Sequence, residues 1–145
     1  MEPRNFVSFD WPSEPHEEQE VDGEVVPAGR PIMARIRAAL GTKGFEVSAV
    51  AQHDSYGWYF ESNRDGVTVW SMLQYSDPWL LISEARHSVW RRLLNKTPKQ
   101  PLGDVCNAIH EYLSSTSEST GIQWFSRSEF QSKQGKNGTP APGIA

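Results

Sequence analysis

The sequence predicts an α+β fold: an antiparallel meander sheet of about five strands, with helices packed mainly on one face and disordered ends. Residues 56–85 contain three runs of aromatic and β-branched residues divided by turn formers, which is the pattern of a meander. Helical spacing of apolar residues on both sides of the meander, and a short aromatic run over residues 121–127, complete the order α-β-β-β-β-α-α-β.

The chain has 145 residues, the length of one domain, and its composition divides it into three regions. We expect a largely flexible acidic arm over residues 1–29, a single α+β domain over 30–130 and a disordered tail over 131–145. Prolines and carboxylates dominate the arm, and such a composition buries too little apolar surface to offset the entropy of ordering. Only residues 5–11 alternate apolar and polar side chains, as a short strand or an anchoring arm would.

The first predicted helix covers residues 31–40. Pro31 stands in its first turn, where the missing N–H costs nothing, and the isoleucine and leucine side chains share one face. Gly41 and Gly44 end this helix, and the alternation over residues 45–49 predicts the first strand.

The meander has two recognisable turns. Asp65-Gly66 is a pair that tolerates the positive φ of a tight hairpin, and Pro78 marks the second turn because proline cannot donate to a strand ladder. Both faces of the predicted strands carry aromatic or apolar residues. Either helices therefore cover both faces, or one face is kept for a partner.

Two more helices and a last strand follow the meander. Apolar stripes predict helices over residues 87–94 and 102–113, the second with Asp104 near its start, where the helix dipole favours a carboxylate. Residues 121–127 form the predicted closing strand.

Charge and cysteine content limit the classes of partner. The net charge of the chain is −4. Residues 1–29 carry about −7, and residues 30–145 carry about +3. This balance argues against nucleic acid, whose binding depends on clustered Lys and Arg. A single cysteine, no membrane-length apolar run and no signal-peptide order favour a cytoplasmic protein without a membrane partner. The choice between monomer and homodimer stays open.

The sequence contains no specific catalytic or ligand-binding motif. Cys106 and His110 lie four apart on one predicted helix, but Cys106 falls in the apolar stripe, so we interpret it as an inert thiol and His110 as a helix-surface residue. Asp65 and Asp77 lie in turns, where capping explains them. We therefore expect no enzyme activity, no metal and no cofactor.

The meander has more large aromatic rings than its predicted helical cover can bury. Such rings are the usual anchors of protein interfaces, and nearby carboxylates add charge complementarity. The predicted partner contacts are Tyr56, Trp58, Glu61, Tyr75, Asp77 and Trp79.

Several segments carry a resemblance to a known class of proteins. Arg30-Pro31-Ile32, Gly44-Phe45-Glu46-Val47, Tyr56-Gly57-Trp58 and the closing run from Gln123 to Phe130 resemble the small, acidic, Trp-rich α+β immunity proteins of bacterial polymorphic toxin systems. The resemblance implies a stoichiometric inhibitor that blocks a toxin domain by binding and has no catalytic residue.

Two other classes remain as alternatives. A secretion chaperone or adaptor would bind an extended effector segment along a groove or sheet edge. A small hydrolase or transferase would gather carboxylates and His53 around an aromatic pocket.

Overall fold

The computed structural model describes residues 2–86, 100–132 and 138–143. The strands in these residues are β1 (Arg4–Asp10), β2 (Gln19–Val21), β3 (Glu24–Val26), β4 (Glu46–Val47), β5 (Ala51–His53), β6 (Gly57–Arg64), β7 (Val67–Tyr75), β8 (Trp79–Arg86) and β9 (Thr120–Ser126). The helices are α1 (Arg30–Thr42), α2 (Gln100–Ser115) and α3 (Arg127–Ser132).

The main sheet is antiparallel in every pairing of the described residues. Its strand order is β4-β6-β7-β8-β1-β9, and β5 also pairs with β6. β2 and β3 form a separate hairpin. Together with the helices this is an α+β fold, as predicted.

The predicted meander is the central part of the sheet. Strands β6 and β7 are joined at Asp65 and Gly66, whose φ values of 54° and 75° are those of a tight hairpin with both turn residues left-handed. β7 and β8 pair in register from Thr68 opposite Arg86 to Tyr75 opposite Trp79. The prediction of this region is confirmed.

The N-terminal residues are not a flexible arm throughout. β1 lies between β8 and β9, where Val7 faces Leu81 on one side and Trp124 on the other. Val7 and Phe9 have no exposed surface, because every second residue of β1 points into the core. The structure thus shows the strand that the alternation over residues 5–11 indicates, and a domain that starts at residue 30 would lack this inner strand.

A second departure from the predicted arm is the β2–β3 hairpin. Its turn is Asp22-Gly23, with φ values of 51° and 81°, which match those of the β6–β7 turn. The composition of the surrounding residues predicts a linker, whereas these two residues favour a tight turn.

Helices α1 and α2 cover one face of the sheet. Their apolar side chains meet the alternate residues of the strands in a single core. It includes Val7, Phe9, Ile32, Ile36, Leu40, Phe60, Leu73, Leu81, Val105, Ile109 and Leu113. Both helices correspond to predicted ones, at residues 31–40 and 102–113. The predicted helix over residues 87–94 lies outside the described residues.

The short helix α3 packs on the other face. Phe130 contacts Phe6 and Phe125, with ring centroids 5.4 and 5.8 Å apart. A capping box starts the helix: the backbone N–H of Glu129 donates to the Ser126 hydroxyl, and the backbone N–H of Ser126 donates to the Glu129 carboxylate. The Ser126 backbone N–H is the main cause of a lowered pKa at Glu129.

Part of the predicted disordered tail is placed against the sheet. The backbone of Thr139 exchanges two hydrogen bonds of 2.8 and 2.9 Å with Trp124 on β9. The prediction of disorder is wrong for residues 138–143, while residues 133–137 and 144–145 of the tail lie outside the described residues.

Candidate binding site

Two of the six predicted partner contacts belong to the core. Trp58 is 9% exposed and Trp79 is 2% exposed. The indole N–H of Trp58 donates to the backbone carbonyl of Pro27 at 2.8 Å, so the polar atom of this ring is also satisfied internally. The prediction that Trp58 and Trp79 contact a partner is therefore wrong.

The burial of Trp79 depends on the residue that precedes α1. Gly29 has a φ of 106°, and a Cβ at this position would lie 2.7 Å from Trp79 Cζ3. Glycine thus allows the start of α1 to close directly over the indole. The sequence contains this glycine but does not reveal which ring it approaches.

The two predicted tyrosines are at the surface. Tyr56 is 65% exposed and Tyr75 is 36% exposed. Tyr56 directly precedes β6, and Tyr75 is the last residue of β7. Because Trp58 lies opposite Leu73 in this antiparallel pair, both tyrosines stand at the same end of the sheet.

A cleft of about 390 Å³ opens between these tyrosines and the N-terminal segment. We call it the tyrosine cleft, and its lining residues are His16, Glu18, Pro27, Ala28, Ser55, Tyr56, Gln74 and Tyr75. Among these described residues, Glu18 is the one that carries a formal charge at neutral pH. The volume is in the range that holds a side chain or a small ligand.

Tyr75 is held in place from two sides. Its hydroxyl donates to Asp77 Oδ1 at 3.0 Å, and the imidazole of His16 stacks on it with centroids 4.4 Å apart and planes inclined by 19°. The hydrogen bond to Asp77 is the main cause of a raised pKa at Tyr75. The structure thus brings Tyr56, Tyr75 and Asp77 of the predicted set together.

The strand end beneath the cleft is tightly built. At Gly57 a Cβ would lie 2.0 Å from the backbone oxygen of Leu73 on β7, so only glycine fits. The Gln52 side-chain amide donates to the backbone oxygens of Val25 and Asp54, at 2.9 and 2.6 Å. These two bonds tie the β2–β3 hairpin to the segment that leads into Tyr56.

Glu61 is not part of the cleft. It lies further along β6, opposite Trp70 of β7. Its backbone N–H donates to the Ser48 hydroxyl, and its backbone carbonyl accepts from the Ser48 N–H, both at 2.8 Å. The structure therefore separates Glu61 from the other predicted contacts.

The other face of the sheet carries an aromatic cluster next to Glu61. His53, Tyr59 and Trp70 are half-buried, with ring centroids 5.7 to 6.0 Å apart. The guanidinium of Arg86 lies 5.7 Å from the Trp70 ring centroid. Tyr59 and Trp70 thus lie on the sheet face opposite to the helices, and they pack against each other there.

A second cleft, of about 460 Å³, has the opposite charge. Arg30, Pro31, Ala34, Arg37, Ala49 and Val50 line it. Arg37 donates to the backbone oxygens of Ser48 and Val47, so its guanidinium holds the loop before β5. The other arginine, Arg30, lies over the Trp58 ring, so both arginines of this cleft contribute to the fold.

Of the lining residues, only Tyr56 and Tyr75 are predicted contacts, and the polar side chains of His16 and Glu18 are among those that the sequence does not predict. Both lie in the stretch between β1 and β2, which has the composition of a linker. Their position follows from the course of the chain between two distant elements. No local signal in the sequence places them beside Tyr75.

Four residues that the sequence analysis considers for chemistry have structural roles: Cys106, His110, Asp65 and Asp77. Cys106 is buried, and desolvation raises the pKa of its thiol to about 12. His110 is half-buried and accepts a hydrogen bond of 3.1 Å from the indole of Trp124, so it is not a simple surface residue. Asp65 and Asp77 occupy turn positions with positive φ. Within residues 2–86, 100–132 and 138–143 no three His, Cys, Asp or Glu side chains are grouped to hold a metal.

Comparisons with known proteins give no match: no family model, no curated protein and no solved structure is similar to this chain at a significant level. In the part of the chain that the structure describes, no helix has both the length and the apolar character needed to cross a membrane.

Proposed function

We propose that this protein is a non-catalytic binding module that acts by direct contact with another protein through the tyrosine cleft. The observation that carries the proposal is the exposure of Tyr56 and Tyr75 at one end of a sheet whose other large rings are mostly covered. Tyrosine gives a large contact area with few rotatable bonds, and it is enriched among the residues that dominate binding energy. A rigid strand end is a suitable support for such anchors.

The negative charge of the N-terminal segment predicts the charge of the partner surface. Residues 1–29 carry a net charge of about −7, and the segment from Glu14 to Glu24 leads past the cleft into the β2–β3 hairpin. Complementary charge accelerates association and excludes partners with the same sign. A basic protein surface therefore fits this end of the molecule best.

The specific form of the proposal is an immunity protein that neutralises a cognate bacterial toxin. The resemblance of residues 30–130 to Trp-rich immunity proteins supports this form, and binding alone is sufficient for such an inhibitor. Blocking a toxin requires a rigid, high-affinity surface and no chemistry in the inhibitor itself.

The test is co-expression with the protein encoded immediately upstream of the gene, which the proposal expects to contain a toxin domain. The wild-type chain should protect the host cell and co-purify with the domain in a fixed ratio. The double variant Tyr56→Ala/Tyr75→Ala should lose protection and weaken binding by at least about tenfold, as the loss of interface anchors does. Circular dichroism of the variant should match that of the wild type, because both rings lie at the surface.

Glu111→Ala is a matched surface control. Glu111 is exposed and forms an ion pair with Lys43, near the C-terminal end of α1. The tyrosine cleft lies beside the N-terminal end of α1, so this substitution does not touch it. Undiminished binding by the tyrosine variant, or equal losses in both variants, would refute the proposed surface. If the neighbouring partner is instead a secreted effector bound in an extended form, the chaperone alternative replaces the immunity function.

A further inference from the structure

Arginine–aromatic pairs are a repeated feature of this fold. Arginine guanidinium groups lie 3.7 to 6.0 Å from the ring centroids of four aromatic side chains: Phe45, Trp11, Trp58 and Trp70. Within the described residues, Tyr56 and Tyr75 have no such cation. Tyr56 is therefore an exposed ring of the kind that the chain elsewhere covers with an arginine, whereas one face of Tyr75 is covered by the His16 imidazole.

The environment of Tyr75 favours a cation on its ring. A phenol that donates a hydrogen bond to a carboxylate gains electron density, and Tyr75 donates to Asp77 at 3.0 Å. Glu18 places a carboxylate in the lining of the same cleft, and none of the lining residues that the structure describes is a lysine or arginine. The site therefore combines aromatic faces, negative charge and unfilled space.

The geometry also favours a flat group. The His16 imidazole already stacks on Tyr75, nearly parallel at 19° and 4.4 Å between centroids. A guanidinium has a similar planar shape, and its fork of N–H donors matches a carboxylate such as that of Glu18. An ammonium group has the charge without the plane.

We propose that the tyrosine cleft binds the guanidinium group of an arginine presented by the partner protein. The group would lie against the ring of Tyr56 or Tyr75 and donate hydrogen bonds to Glu18. This inference rests on the proposed function for the source of the arginine, but the site itself can be tested without any partner.

The experiment is an NMR titration of the full-length ¹⁵N-labelled chain with Nα-acetyl-arginine amide. Nα-acetyl-citrulline amide is the control ligand, because it has nearly the same shape and no charge. Shifts should be confined to residues at the cleft, such as Tyr56, Gln74 and Tyr75, and the citrulline compound should bind at least about fivefold more weakly. The lysine analogue should bind more weakly than the arginine compound.

Two single variants define the site. Tyr56→Ala and Glu18→Gln should each weaken arginine binding by about threefold or more, and Glu111→Gln should leave it unchanged. The spectrum of each variant shows directly whether it is folded. Equal binding of arginine and citrulline compounds, equal binding of the lysine analogue, or shifts spread away from the cleft would overturn the assignment.

The two proposals fail in different ways. If the arginine compound does not bind but the toxin domain still requires Tyr56 and Tyr75, the guanidinium assignment is wrong and the binding function stands. If the compound binds at the cleft but no protein partner does, the site stands and the proposed function is wrong.

Discussion

His110 is a polar residue whose role depends on one hydrogen bond. Its Nδ1 accepts from the indole N–H of Trp124 at 3.1 Å, and Trp124 is almost completely buried. An indole N–H can only donate, so Nδ1 must be unprotonated and the neutral ring must carry its proton on Nε2. The helical spacing predicts that His110 is near Cys106, but it does not predict the hydrogen bond from Trp124 on the following strand, β9.

We expect His110→Ala to lower the free energy of unfolding by about 1–3 kcal/mol, because the buried indole N–H would lose its acceptor. Urea denaturation followed by fluorescence measures this change. Ser114→Ala is the control, since its hydroxyl lies 3.4 Å from the other ring nitrogen and is exposed, and it should cost less than about 0.5 kcal/mol. In a Trp124→Phe background the effect of His110→Ala should become small. An unchanged effect there would contradict the role of the hydrogen bond.

The buried thiol of Cys106 should make the stability of the protein depend on pH. Burial raises the pKa of its thiol from 9.0 to about 12, so the folded chain keeps the proton where the unfolded chain loses it. The unfolding free energy should therefore fall as pH rises from about 9 towards 12, and Cys106→Ala should lack this part of the decrease.

The same burial should protect Cys106 from thiol reagents. At about pH 8 the native chain should react with DTNB at least tenfold more slowly than the urea-unfolded chain, because the reaction needs an accessible thiolate. Equal rates in the two states would show that the thiol is accessible in the folded protein.

At the scale of single elements, two glycines have opposite roles. Gly57 lies where β6 approaches β7, and a Cβ there would come within 2.0 Å of the Leu73 backbone oxygen. Gly103 lies inside α2, exposed, with no atom within 4 Å of the position of a Cβ. The first glycine is required by packing, and the second only adds flexibility to the unfolded chain.

Alanine substitution should therefore change stability in opposite directions. Gly57→Ala should lower the free energy of unfolding by more than about 2 kcal/mol, because a backbone oxygen cannot move aside without separating the strands. Gly103→Ala should raise it by about 0.5–1 kcal/mol through higher helix propensity. Thermal and urea unfolding of both variants measures whether the free energy of unfolding falls or rises. A mild effect at Gly57 would mean that β6 and β7 shift easily at the cleft.

Local signals explain which elements the sequence predicts. Asp65-Gly66 between two β-rich runs predicts the β6–β7 hairpin, and the periodicity of residues 102–113 predicts α2. Asp22-Gly23 has the same turn chemistry and flanking valines, but the acids around it favour a linker on composition alone. Composition describes the average of a segment, whereas a turn depends on two residues.

At the scale of the whole molecule, the distant contacts are what the sequence does not predict. Tyr56 and Tyr75 follow as neighbours once the hairpin is known, because the register places them at one strand end. The burial of Trp58 and Trp79 depends on how Pro27 and Gly29 close over the sheet. His16 and Glu18 reach the cleft only because β1 fixes the start of the segment that carries them.

The inner position of β1 makes the N-terminus essential for stability. Deletion of residues 1–11 should abolish cooperative unfolding, because β8 and β9 would each lose a partner and the core would lose Val7 and Phe9. Deletion of residues 140–145, which keeps the Thr139–Trp124 pairing, should retain it. Circular dichroism during a urea titration shows whether each deletion variant still unfolds cooperatively. A cooperative transition in the first deletion would show that the rest of the sheet is stable alone.

The position of β1 also has a consequence for biosynthesis. β1 precedes both of its partners, β8 and β9, in the chain, so it leaves the ribosome before either of them. The ladder with β9 cannot be complete before Ser126 has emerged, so the sheet remains incomplete during translation up to that point. A chain truncated before β9 would therefore present open strand edges to chaperones and proteases instead of a finished protein.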